Sequence, residues 1–141
     1  MRVAAAGTAL PLPTGLVRRV VTGVLDGERA GPSAVSVTFV SPPRMRALHA
    51  RAFGHPRLTD VVAFELPHPD LLAGDVYVCP AVARRAASTL GIPAREELIR
   101  LVIHGTLHVL GYRHPDGTRR TTSAMWKRQE RHVRAAAGRR A

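Results

Sequence analysis

The chain has 141 residues, 45% of them apolar, and a formal net charge of +11 from 21 basic and 10 acidic side chains. That length suits one domain over residues 1–141 with a single core, and the apolar share excludes a disordered tail. No apolar run reaches the roughly 20 residues of a membrane span, and a lone cysteine, Cys79, excludes an internal disulfide and fits a reducing cytoplasm.

Residues 2–6 form a short apolar run that predicts a first strand. Pro11 and Pro13 interrupt the apolar N-terminus and Arg18 and Arg19 follow, which argues against an export signal. Thr14 is placed to cap a helix through about Leu25, because Leu16, Val17, Val20, Val21, Val24 and Leu25 recur at helical spacing. Residues 33–40 alternate and carry Val35, Val37, Thr38 and Val40, the pattern of a strand. Pro42 and Pro43 open a helix to about Phe53, since proline is tolerated in a first turn. Residues 60–66 and 75–78 predict two more strands, separated by a turn region with Pro67, Pro69 and Gly74. Cys79 falls in this apolar stretch, where a buried, inert thiol is expected.

Pro80 opens a helix that Gly91 stops near Leu90. Glu96 and Glu97 suit the first turn of a helix over about residues 95–110, where the dipole favours negative charge. A last helix is expected over about residues 121–136, with Trp126 packing it onto the core and His132 on its surface. Four short strands with helices packed on them make an α+β domain.

The chemistry concentrates in His104-Gly105-Thr106-Leu107-His108-Val109-Leu110-Gly111-Tyr112-Arg113-His114. Positions i and i+4 of a helix lie on one face, so His104 and His108 can offer two imidazoles to one metal ion. Gly111 can end the helix in the left-handed conformation and let the chain return with His114 as a third ligand. Three protein ligands to zinc leave a fourth position for water, the arrangement of a catalytic site. Zinc fits these nitrogen donors, as do other imidazole-loving ions.

The charge points to a polyanion. Lys127 is the sole lysine, and arginine's planar fork matches phosphate oxygens, so a nucleic acid is the expected partner. Arg51 and Arg57 precede Thr59-Asp60, and Arg113, Arg119 and Arg120 follow the histidine segment. All five are candidate nucleic-acid-binding residues, and RNA-binding ones under the resemblance given below. Asp60 and Asp75 are candidates to orient a ligand histidine by hydrogen bonding.

The H-x3-H-x5-H spacing is shared with metzincin metalloproteases, which place a glutamate base directly after the first histidine. Here that residue is Gly105, which cannot take a proton. The segment instead resembles the His-Gly-x-Leu-His-Leu-x-Gly-Tyr-Asp-His motif of the YbeY-type rRNA maturation endoribonucleases. Leu58-Thr59-Asp60-Val61-Val62-Ala63-Phe64 is similar to that family's Pro-Thr-Asp-Val-Leu-Ser-Phe segment. Ala73-Gly74-Asp75-Val76-Tyr77-Val78-Cys79 is similar to its Gly-Asp-Ile-x-Ile-Cys segment, and Met125 stands where a methionine follows the histidine motif.

The resemblance implies a small mixed four-stranded sheet packed with helices and a metzincin-like zinc helix. It implies one zinc ion per chain on His104, His108 and His114. It implies a zinc-dependent, single-strand-specific endoribonuclease acting on the ribosome in 16S rRNA 3′-end maturation and ribosome quality control. The chain departs from the family at four points. Arg113 replaces an aspartate, Phe53 an arginine thought to matter for cleavage, His49 an asparagine and Gln129 a glutamate, with Glu130 beside it. Arg51 and Arg57 are therefore the candidate catalytic arginines. The competing readings are a metal-binding ribosome- or RNA-associated factor without nuclease activity, and a zinc peptidase.

Overall fold

The computed structural model describes residues 1–112 and 124–137. In these residues the order is β1 (Arg2–Ala6), α1 (Thr14–Gly27), β2 (Ser33–Val40), α2 (Pro42–Phe53), β3 (Val61–Leu66), β4 (Leu72–Val78), α3 (Pro80–Leu90), α4 (Ala94–Val109) and α5 (Ala124–Ala137). The strands form one sheet in the order β1-β2-β4-β3. β1 and β4 flank β2 in parallel, with Val3 opposite Val37 and Val76 opposite Val37 from the other side. β3 returns antiparallel to β4, with Ala63 opposite Val76. The sheet is mixed and the fold is α+β, as the sequence implied.

β4 starts three residues earlier than the alternation suggested. Leu72, Ala73 and Gly74 pair with Ser33, Ala34 and Val35 of β2, while Ala73 and Gly74 also face Leu66 and Glu65 of β3. Gly74 is thus a strand residue rather than a turn. A methyl group there would stand 2.5 Å from Val109 Cγ1 and 2.8 Å from the Phe64 carbonyl oxygen. Thr14 is not a cap either. The first helical bond of α1 runs from Val17 N–H to Pro13 O at 3.1 Å, so Thr14 already lies inside the helix.

The larger core fills one face of the sheet. Val35, Val37, Phe39, Val76 and Val78 meet Leu16, Val17, Val20 and Val24 of α1 and Leu98, Val102, Ile103 and Leu107 of α4. On the other side, α2 lays Met45 against Val40, Val62 and Cys79 in a smaller cluster. Cys79 is buried there, as expected.

α4 is the central helix. Leu98, Ile99, Leu101, Val102, Ile103, Gly105, Thr106, Leu107 and Val109 are all buried, a pattern of a helix covered on most of its sides. Thr106 returns its hydroxyl to the Val102 carbonyl at 2.8 Å, which satisfies a polar group in the core. Gly105 lets the helix sit directly on β4, because a methyl group there would overlap the Val76 Cγ atoms.

Gly105→Ala tests that contact. Alanine gains about 1 kcal/mol of helix propensity, but overpacking against a β-branched core residue costs about 1–3 kcal/mol. Thermal denaturation is expected to show a lower Tm, and a variant as stable as the parent would refute the close approach.

Candidate metal centre

His104 and His108 occupy the last two turns of α4, with ring centroids 5.0 Å apart and planes inclined by 41°. Both are half-buried, and the helix brings them together as the spacing predicted. Gly111 then takes φ = 98°, and its N–H bonds the His108 carbonyl at 2.9 Å while the Tyr112 N–H reaches the Leu107 carbonyl at 3.1 Å. The chain turns out of α4 where the sequence placed the stop. His114, Arg113, Arg119 and Arg120 lie outside the described residues. Within the described residues, no cluster of three or more histidine, cysteine or acidic side chains is arranged to hold a metal.

The turn is tied down from two helices. Tyr112 donates its hydroxyl to Glu28 Oε1 at 3.0 Å, and Glu28 Oε2 lies 2.7 Å from His132 Nε2. Arg128 completes the group at 3.1 Å from Glu28 and 4.8 Å above the Tyr112 ring. His132 is therefore an interior partner of Glu28 rather than a surface residue. The periodicity of α5 alone did not reveal a buried carboxylate waiting just past the end of α1. Burial raises the Glu28 pKa, but the hydrogen bonds from His132 and Tyr112 and the Arg128 charge outweigh it and hold the carboxyl below its ordinary value.

α5 also orients the first histidine. His104 Nδ1 lies 2.8 Å from Gln129 Oε1, while Gln129 Nε2 donates to Glu130 Oε2 at 3.1 Å. The amide nitrogen is committed to Glu130, so its oxygen accepts from His104 Nδ1–H. That fixes the tautomer with the lone pair on Nε2, the nitrogen suited to a metal. Gln129 is 2% exposed, so the bond is shielded from water. Glu130 in turn receives a forked pair from Arg100, Nε at 2.9 Å and Nη2 at 2.9 Å, and Arg100 Nη1 reaches Glu97 at 3.0 Å. The hydrogen bonds to Glu130 and Glu97 raise the Arg100 pKa, and Glu130 is lowered by its bonds from Arg100 and Gln129 despite its burial. Burial pushes Glu97 up.

The pair opens on a cleft of about 230 Å³ lined by His49, Phe53, Thr59, Val61, Val62, Ala63, His104 and His108. His49 is 8% exposed and donates Nδ1–H to the His55 carbonyl at 2.8 Å. It lines the site from α2. Arg51 and Arg57 are exposed on either side of Phe53 in the chain. Asp60 borders a neighbouring cleft that His104, Gln129 and Trp126 also line. Asp75 is placed elsewhere. Its neighbours Gly74 and Val76 face α4, so strand alternation turns Asp75 to the opposite side, where it accepts from Ser36. It does not orient either histidine.

A family model described as endoribonuclease YbeY matches residues 13–137. The chain belongs to the YbeY endoribonuclease family. A relative described as endoribonuclease YbeY from Clavibacter michiganensis subsp. michiganensis is 34% identical over 120 residues, covering 77% of this chain and 78% of its own. Another, from Frankia alni, is 38% identical over 140 residues, covering 83% of this chain and 75% of its own. A solution structure of a Thermotoga maritima protein is similar with a TM-score of 0.68 at 28% identity, over 98% of this chain and 90% of that one.

Among the family's segments in this chain, the Thr59-Asp60 stretch enters β3 at the cleft, whereas the Gly74-Asp75 stretch serves the helix–sheet contact. The sequence reading marked Gln129 only as a departure and missed it as the partner of His104. The available signal was its spacing from Met125, four residues on and buried on the same face of α5.

Gln129→Leu removes the acceptor and keeps most of the volume. If zinc occupies the candidate site, its affinity, measured by chelator competition, is expected to fall about 10- to 100-fold; an unchanged affinity would discount the bond. Glu28→Gln is expected to cost about 1–3 kcal/mol at neutral pH. The folded pKa of Glu28 lies below the ordinary 4.5, so its contribution is complete above that value and is lost as pH falls through the folded pKa. The Tm difference between parent and variant should therefore close in acid, and a difference that persists there would refute the charge-based account.

Proposed function

We propose that this protein is a zinc-dependent endoribonuclease specific for single-stranded RNA, acting in the cytoplasm on ribosomal RNA and the ribosome in 16S rRNA 3′-end maturation and ribosome quality control. The observation that carries the reading is the pair His104–His108, one turn apart on a buried helix, with the His104 tautomer set by Gln129 and a solvent cleft in front. The donor set fits zinc, and the family is one of endoribonucleases. His104, His108 and His114 would hold the ion, which would supply a water of pKa about 7 and polarise a phosphoryl oxygen.

The chain's own residues account for the remaining tasks. Gln129 keeps His104 in the right tautomer. Arg51 and Arg57 are exposed and close in the chain to Phe53 and Thr59, which line the cleft, and they are the arginines assigned to neutralise the scissile phosphate and its neighbours. Arg113, Arg119 and Arg120 are assigned to phosphate binding as well, on their residue type alone. In the described residues, no helix is long and apolar enough to cross a membrane. The peptidase reading loses ground on packing as well as chemistry. Its glutamate base would stand at Gly105, where even a methyl group overlaps Val76.

The purified protein is expected to cut short single-stranded RNAs, to leave duplexes intact and to stop when a chelator is added. Elemental analysis should find one zinc per chain, and His108→Ala should lose both metal and cleavage. RNA binding without chelator-sensitive cleavage would replace this reading with the non-catalytic RNA-associated factor. Chelator-sensitive casein cleavage would replace it with the peptidase.

A further inference from the structure

We propose that Phe53 is a stacking platform that seats one unpaired RNA base beside the histidine pair. The inference rests on the endoribonuclease reading and adds the subsite that recognises an unpaired strand.

Phe53 is the last residue of α2 and is followed by Gly54 at φ = 85°. Phe53 is 53% exposed, whereas Phe39 is fully buried. A large aromatic left in water is informative when it is also held in place. Phe64 lies behind it at 6.3 Å between centroids and 23° between planes, and His49 packs at 4.6 Å and 47°. His49 is itself fixed by its bond to the His55 carbonyl. The ring is therefore ordered before any ligand arrives, so seating a base costs little conformational entropy.

Phe53 shares its cleft with His104 and His108, so a base on the ring lies next to the candidate metal centre. Among the described residues none lining this cleft is acidic, and Arg51 and Arg57 flank Phe53 in the chain. An uncharged cleft with an exposed aromatic ring, in a chain rich in arginine, suits a nucleotide whose base stacks on the ring. The net charge of +11 favours a polyanion over a peptide as the strand that enters. Stacking uses the face of a base, which every base offers and which a duplex keeps occupied. The platform therefore selects unpaired over paired RNA and shows little preference among bases.

The test uses the purified full chain and a short single-stranded RNA carrying a fluorescent purine whose emission is quenched by stacking. Rapid mixing reads binding before cleavage. Phe53→Leu keeps an apolar side chain without a ring, and Phe53→Trp restores a larger ring. Phe53→Leu is expected to weaken binding about 5- to 150-fold and to abolish the quench. The slope of log affinity against log salt should stay unchanged, since no phosphate contact is lost. Phe53→Trp should recover both quench and affinity. Bound metal and Tm, measured on each variant, separate this effect from a loss of folding. Parent-like affinity and quench in Phe53→Leu would overturn the platform while leaving the nuclease reading intact. If the parent binds no single-stranded RNA at all, both fall.

Discussion

The site depends on how closely α4 approaches the sheet. Two glycines set that distance from opposite sides: Gly105 on the helix faces Val76, and Gly74 on β4 faces Val109. Neither position tolerates a methyl group without displacing a buried valine. Interiors are packed as densely as organic crystals, so a helix seated this tightly has little freedom to rotate. Its rotation decides where His104 and His108 point. A residue that looks like a missing catalytic base in the sequence is, in the fold, the contact that aims the histidines.

The second determinant is the register of α5. Arg100 on α4 holds Glu130 with a forked pair while also bonding Glu97, so the two helices can meet in only one alignment without stranding a charge. Buried ion pairs seldom add much net stability, because desolvating the charges offsets their attraction, but breaking one is expensive. Here the cluster acts through alignment. Gln129 is adjacent to Glu130, and the alignment that satisfies Arg100 also puts the Gln129 amide within 2.8 Å of His104. A structural ion pair and the tautomer of a candidate ligand are thus set by the same helix–helix contact.

Much of this was legible in the sequence because it was written in local periodicity. The apolar stripe of α1, the alternation of β2, the prolines opening α2 and α3, and the i, i+4 histidines followed by Gly111 all encode short-range geometry. What escaped was decided by partners distant along the chain. Gly74 resembles a turn residue until β2 is laid beside it. His132 resembles a surface residue until Glu28 is found opposite, 104 positions away. Asp75 lies near the site in the motif order, but strand alternation sends it to the other face of the sheet. Thr14 misled for a smaller reason: the Pro13 carbonyl already starts the helix one residue earlier.

Glu28, Glu97 and Glu130 are three of the chain's ten acidic side chains, and all three are spent on internal partners: Arg100, Arg128, His132 and Tyr112. Their basic partners are held with them, so the long-range field is set by the net charge of +11. That charge speeds encounter with a polyanion but carries no information about strandedness. Discrimination has to come from short-range geometry, and under the proposed platform it falls to the uncharged Phe53 ring in the cleft in front of His104 and His108 rather than to another cation. Attraction and selection are thus carried by different residue types. Salt weakens the first and leaves the second largely untouched, because base stacking does not depend on released counterions.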